Sequence, residues 1–465
     1  MSEVHSEDHM VGIDIGTTSV KVVAFTVNGH RSRTYSAPYQ TGRPQPGWAV
    51  QDPNFWLKAT EDGLAHMSQH GISARSTGIV SQVNTHVFVD ESLEPLASAI
   101  IWQDQRCAAI AAELDNRFTA ADKQRIWGGP IRLDASFLPA RAEWFARERP
   151  ELWARTRWVL SPKDFVTARM TGRVATDLLS SVRIANVNGY VPEAVALVDG
   201  LADRLPPILP MESRMVGTMD AFGAVIGTGL PWAGRQGMLM CGTSLVVAGA
   251  SASPGSAPGI VTFPPYEGVS VHAGPTQAAG DAVRWWSRVS GLDLRSVFGS
   301  AESGTSGLVF TPHLMGERAP LWDSSARATF LGLSSDTTQA DMSRAVLEGV
   351  AMSGRHVLEA VEQACGFTLE SVTFTGGGAY ESLWGQIFAD VLGRPVERLA
   401  VLESGALGAA LLGAVDAGIY PSVAEAAAAT VKVGKVFTPI RSLDKLYSVY
   451  RDSYEALRDI HARLV

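Results

Sequence analysis

Apolar and polar residues alternate along Val11-Gly12-Ile13-Asp14-Ile15. They give way to Gly16-Thr17-Thr18-Ser19-Val20-Lys21 and resume as the apolar run Val22-Val23-Ala24-Phe25. A two-residue period broken by a glycine-led turn predicts strand, tight turn, strand. Spacing close to 3.6 takes over after the loop Gly47–Pro53, where Phe55, Trp56, Leu57, Leu64 and Met67 predict a helix over 54–70. A strand follows, ending at 78–85 with polar Gln82 and Asn84, and another over His86–Asp90. The apolar pair Ile100-Ile101 then delivers Trp102, Asp104 and Arg106 to one neighbourhood. Residues 108–200 read as mostly helical, with Ser161 a cap and Pro162 suited to the first turn of one helix.

Further along, 215–229 reads as a short strand that delivers Asp220 to the start of a helix of small residues. Met238–Val247 then repeats the opening pattern, with Gly242-Thr243-Ser244 at the turn. Leu314–Pro320 is a polar loop, and Phe330-Leu331-Gly332-Leu333 leads to a helix over Gln339–Ala364. Val372–Thr375 predicts a strand, Gly376-Gly377-Gly378 a turn, and Leu383–Leu392 a helix.

These turns suggest chemistry. Gly16, Thr17, Thr18 and Ser19 offer successive backbone N–H groups and hydroxyls, Lys21 adds a cation, and the carboxylate of Asp14 suits a hydrated divalent metal. The same residues also suit an ordinary glycine-containing hairpin. Three glycines between a strand and a helix leave room for a flat ligand such as adenine, and equally make a tight turn. Asp220 is placed to take a proton from a substrate hydroxyl, a role compatible with capping its helix. Gln82 and Asn84, at a strand end, are candidates to bind a polyol. Trp102, Asp104 and Arg106 suit a sugar grip or a surface salt bridge beside a buried tryptophan.

The composition narrows the classes. At 465 residues the chain is long enough for two domains. A hydrophobic share of 46% with 18% charged residues is that of a globular protein with a large core, and a net charge of −8 speaks against nucleic acid or an anionic membrane as partner. No run reaches the ~18 apolar residues of a membrane span. The polar first ten residues show no signal peptide, and Cys107, Cys241 and Cys365 are scattered, so a cytoplasmic protein with reduced thiols is expected. A homodimer is the default assembly.

The chain resembles the FGGY carbohydrate kinases, and within them the xylulokinase-like branch. The resemblance runs from Val11 to about Gly418 and rests on motifs in the family's order: Asp14–Ser19, Gly47-Trp48 with Gln51-Asp52-Pro53, Trp102 with Asp104 and Arg106, Thr176-Asp177, Asp220, Gly242-Thr243-Ser244, Gly316-Glu317-Arg318, Phe330–Leu333 with Leu347-Glu348-Gly349, and Gly376–Ala379. It implies an α/β fold of two actin-like, ribonuclease-H-like domains around a central cleft (the sugar kinase/Hsp70/actin ATPase fold). The expected division is 1–237, sugar-binding and carrying the catalytic Asp, and 238–465, nucleotide-binding. It implies ATP-dependent phosphorylation of a small sugar, most closely a ketopentose such as D-xylulose, with Mg²⁺. By resemblance Asp220 is the catalytic base and Asp14 holds the metal. Gly16, Thr17, Thr18, Ser19, Lys21, Gly242, Thr243 and Ser244 surround the phosphates. Gly280, Arg284, Gly376, Gly377, Gly378 and Ser382 line the nucleotide, and Gln82, Asn84, Trp102, Asp104 and Asp220 line the sugar.

Three departures stand out. Gln82-Val83-Asn84-Thr85 replaces Gln-Met-His-Gly of the xylulokinase pattern, Arg141 stands where the first signature has lysine, and only Met211–Met219 remain where the family has a helix and a longer strand before Asp220. The shortening leaves a second expectation beside the active kinase, a catalytically weak relative that binds sugar and nucleotide as a sensor or scaffold. An actin- or Hsp70-type ATPase shares the hairpins but has no reason to carry Trp102, Asp104 and Asp220 in sugar-kinase order.

Overall fold

The computed structural model describes residues 8–127 and 133–464; the polar opening stretch, residues 1–7, lies outside them. The chain divides into two compact units, one of Met1–Gly227 with Gly405–Thr430, the other of Thr228–Ser404 with Val431–Val465.

The first unit is built on a five-stranded sheet in the order Thr218–Met219, Ala74–Ser81, His9–Ile15, Ser19–Thr26, Arg31–Pro38. The opening hairpin is antiparallel, and Ala74–Ser81 lies parallel to His9–Ile15, as does Thr218–Met219 to Ala74–Ser81. Three parallel strands thus end on one edge, where Asp14, Gln82 and Asp220 follow or close them. The helix Pro53–Gln69 starts where Asp52 accepts from the Asn54 N–H at 3.0 Å, and buries Trp56, Ala59, Thr60, Gly63 and Met67. Gly63 is required there, since a Cβ would fall 2.4 Å from Val22 Cγ2. Of the apolar residues that set the helical period, Trp56 and Met67 are buried, Leu57 and Leu64 are half-buried and Phe55 is exposed.

The expectation of a mostly helical 108–200 holds only to Thr171, with the strand Trp158–Leu160 inside it. The helix Pro162–Thr171 carries a full capping box between Ser161 and Asp164. Beyond Gly172 the chain is largely irregular, broken by Leu179–Ser181 and Pro192–Val195. The expected strand over 86–90 is the shorter Val87–Val89, paired with Trp158–Leu160.

Late in the chain, residues 405–416 of the helix Ser404–Asp416 pack against the first sheet. A Cβ on Gly12 would lie 1.7 Å from Ala406 O, and one on Gly78 1.8 Å from Ala409 O. Glycine in these strand interiors is therefore the condition for helix and sheet backbones to touch.

The second unit repeats the plan. Its seven-stranded sheet runs Val261–Thr262, Ser270–Pro275, Leu245–Ser251, Gln236–Cys241, Ser371–Thr375, Val396–Leu399, Val433–Phe437. Again a hairpin is antiparallel and the returning strand, Ser371–Thr375, lies parallel to its first strand. The helix Gln339–Cys365 starts at a Thr338–Asp341 capping box, ends at left-handed Gly366, and runs through the apolar core.

Candidate active site

Two carboxylates meet at the strand ends of the first unit. Asp14 pairs across the hairpin with Lys21. Its Oδ1 is buried with no hydrogen-bond donor, and burial raises its pKa against the opposing pull of Lys21. Asp220 is the first residue of the helix Asp220–Gly227. Burial first, and the Asp14 charge second, push it up to about 7, while the Ala221 N–H, 2.7 Å from Oδ1, works the other way. A carboxylate poised near neutrality can hold a proton or release it, which is what a general base requires.

The segment before Asp220 is short but anchored. Ser213, Val216 and Gly217 donate to the carbonyls of Pro210, Ser213 and Met211, and Thr167 Oγ1 donates to Met215 O at 2.9 Å. Arg214 and Met215 are left-handed (φ 45° and 61°), which closes the turn in few residues. Thr218 Oγ1 then donates to Asp177 Oδ2 at 2.8 Å. Asp177 and Asp164 both pair with the fully buried Lys163, at 2.9 and 2.6 Å. The strand still pairs in register, Thr218 with Val80 and Met219 with Ser81.

Thr17, at the hairpin turn, knits the expected sugar residues together. Its hydroxyl accepts from Trp102 Nε1 at 3.0 Å and its carbonyl from Gln51 Nε2 at 2.9 Å; Gln51 Oε1 accepts from Gln82 Nε2 at 2.8 Å. Asn84 is left-handed (φ 50°), and its carbonyl accepts from Arg141. Arg141 also donates to Ile100 O and Ile101 O, at 2.8 and 2.6 Å, so one buried cation fastens two strand ends. Asp104 is fully buried and accepts from Ala49 N (2.6 Å), Arg106 N (2.9 Å), Arg106 Nε (2.9 Å) and Arg106 Nη2 (2.7 Å). The Asp104–Arg106 salt bridge, which one of the two alternatives placed at the surface, is thus buried, and the ring stacked on Arg106 is Trp48, at 3.5 Å.

The sequence reading gave no role to Tyr39. Its N–H donates to Thr18 O and its hydroxyl to Gly16 O, so it grips the hairpin turn at two points. Its only signal was its place just after an exposed strand.

In the second unit the other expected residues gather around the ends of Gln236–Cys241 and Ser371–Thr375. Gly242 and Thr243 are exposed at the hairpin turn. Thr243 O accepts from Ala279 N and Asp281 N at 2.9 and 3.1 Å, and Gly242 O from Gly280 N at 3.0 Å. Arg284, on the helix begun by Gly280, donates to Thr243 Oγ1 at 3.2 Å. Gly376 is left-handed (φ 84°), where a Cβ would fall 2.7 Å from Cys241 O, and one on Gly378 would press on Cys241 Sγ; Gly377 faces open space. Ser382 opens the next helix and Ser244 closes the hairpin turn. Glu317, missed as a support, accepts from Gln277 N at 2.5 Å and from Arg318 N at 2.8 Å, and Arg318 donates to Thr276 O. The motif Gly316-Glu317-Arg318 therefore braces the segment beside this hairpin.

Among the described residues no three histidines, cysteines or acids cluster as a metal site. Mg²⁺ needs no such cage, since it keeps waters and binds one or two carboxylates together with substrate phosphates. The orphaned Oδ1 of Asp14 fits that demand.

Comparisons with known proteins bear on the chain as a whole. The N-terminal domain of the FGGY family of carbohydrate kinases matches residues 9–231, and the C-terminal domain of that family residues 237–417. A xylulose kinase of Staphylococcus epidermidis is 27% identical over 483 residues, covering 96% of this chain and 96% of that protein. The ligand-bound xylulose kinase structure from Lactobacillus acidophilus superposes with a TM-score of 0.85 at 22% identity, over 98% of this chain and 100% of the other. A gluconate kinase structure from the same organism reaches 0.87 at 21% identity, again over 98% and 100%. This chain belongs to the FGGY family of carbohydrate kinases.

Proposed function

We propose that this sugar kinase transfers the γ-phosphate of ATP to the terminal hydroxyl of a ketopentose, D-xylulose being the first candidate. The observation that carries the chemistry is Asp220, a half-buried carboxylate pushed up to about 7 beside a second acid whose Oδ1 has no donor. The substrate class is supported by the xylulose kinases that match along nearly their whole length.

Asp220 takes the hydroxyl proton as the oxygen attacks the phosphorus. Asp14 would hold Mg²⁺, which when bound neutralises charge on the phosphoryl oxygens. The N–H groups and hydroxyls of Gly16–Ser19 and Gly242–Ser244, with Lys21, bind phosphate oxygens. Gly280, Arg284, Gly376–Gly378 and Ser382 hold the nucleotide. Gln82, Asn84 and Trp102 contact the sugar, and Asp104 acts there by fixing Arg106 and the Trp48 loop. The functional division assigns sugar and base to the N-terminal part and nucleotide to the C-terminal part, in a cytoplasmic homodimer. No helix among the described residues is long and apolar enough to cross a membrane.

The test is ADP release with MgATP against D-xylulose, D- and L-ribulose, L-fuculose, gluconate, glycerol and erythritol. Strongest kcat/KM on D-xylulose is expected; a preference for gluconate or glycerol would overturn the ketopentose reading.

A further inference from the structure

Inside the first unit a pocket starts where the reacting residues stop. One wall is the chain from Ser81 to His86, and the others include Leu138, Ser180, Arg183 and Ile184. Met219 pairs with Ser81, so the next residues on the two strands, Asp220 and Gln82, begin about 5 Å apart. Three polar atoms of the pocket residues are buried without a hydrogen-bond partner: Gln82 Oε1, Ser180 Oγ and Arg183 Nη2. Arg183 Nη1 is occupied, donating to Asp134 Oδ1 at 3.1 Å and Ser136 Oγ at 2.9 Å.

We propose that this pocket receives the carbonyl end of an open-chain ketose, with Arg183 and Ser180 as its specificity-determining residues. The inference rests on the ketopentose reading above and adds the groups that would recognise the keto function. A 2-ketopentose closes its ring only through its terminal hydroxyl. The form that offers that hydroxyl to Asp220 is therefore the open chain, with its C2 carbonyl exposed. Four bonds of an extended chain, about 5 Å, separate the terminal oxygen from C2, a span that matches the spacing from Asp220 to Gln82. A carbonyl oxygen only accepts, and Arg183 Nη2 and Ser180 Oγ are the two donors left over. Gln82 Oε1 is an acceptor for a neighbouring hydroxyl. Because Asp134 already balances the guanidinium, the remaining N–H suits a neutral oxygen better than a carboxylate, which disfavours aldonates. A carbinol puts its oxygen out of the plane of the carbon chain and brings a hydrogen that needs an acceptor, which disfavours alditols.

The experiment is isothermal titration without ATP, using D-xylulose and D-arabinitol, which differ only at C2, alongside ADP release. Wild type should bind the ketose at least tenfold more tightly than the alditol, and Arg183→Met should bring that ratio close to one. Ser180→Ala, a smaller change that leaves the Asp134 contact intact, should lower the ratio severalfold and decides the matter if Arg183→Met does not fold. A ratio unchanged in folded Arg183→Met, or in Ser180→Ala when Arg183→Met does not fold, overturns this proposal, whether or not D-xylulose is phosphorylated. A wild type that binds D-xylulose with the expected ratio but transfers no phosphate overturns the proposed function and supports the pocket. A wild type that binds no ketose overturns both.

Discussion

Replacing Asp220 by Asn should cut catalysis by orders of magnitude and at the same time stabilise the protein. The folded-state pKa of about 7 lies some three units above the usual 3.8 of an aspartate, with burial the larger cause and Asp14 the second. A group raised in this way favours folding only while protonated, so its contribution is fully present below about pH 3.8 and lost as the pH rises past about 7. At 1.36 kcal/mol per unit, the ionised group burdens the fold at pH 8 by as much as ~4 kcal/mol, less what partial exposure screens. Asparagine keeps an oxygen for the Ala221 N–H and carries no charge. Asp220→Asn should therefore melt several degrees higher than wild type at pH 8, with the gap closing as the pH approaches 4. It should also lose ~10²–10⁴-fold in kcat/KM, the usual share of a general base. Wild-type kcat/KM should fall below pH 7 with unit slope, to roughly a tenth at pH 6. Scanning fluorimetry over pH 4–8 and a coupled ADP assay read both quantities. A variant that melts lower than wild type at pH 8, or that keeps its activity, would refute the reasoning.

Lys163→Met should leave Asp164 and Asp177 buried without their cation and cost about 3–5 kcal/mol, read as a lower urea midpoint. Gly12→Ala drives a Cβ into Ala406 O and should cost about 3 kcal/mol or more, seen as loss of soluble protein or a much lower melting point. Arg284→Ala should raise the KM for ATP by about tenfold while the Kd for sugar moves less than twofold, because Arg284 lies with the Gly242–Ser244 turn; titration of each ligand separates the two.

Both hairpins were legible because their signal is local: a two-residue period, a Gly-Thr-Thr or Gly-Thr-Ser turn, and β-branched residues after it. The long helix Gln339–Cys365 was legible through its period, one residue short of its true end. The packing of Gly405–Thr430 with the first unit was not, because it depends on backbone contact at Gly12 and Gly78, and a glycine in a strand does not name its neighbour. Arg141 was legible only as a departure from a lysine of the family's first signature, and Lys163 only as part of a helix start; the fold alone shows them buried among carbonyls and carboxylates. The short run before Asp220 looked deficient because two left-handed residues, Arg214 and Met215, leave no trace in residue type. Asp104 and Arg106 were correctly brought together by spacing, but spacing does not say that the pair is buried.

The most direct measurement is ³¹P NMR of the chain incubated with MgATP and D-xylulose. The account predicts one new phosphomonoester signal coupled to the terminal CH₂, appearing with ADP in equal amounts and absent without sugar. Inorganic phosphate as the only product, or an ester on another carbon, would contradict it.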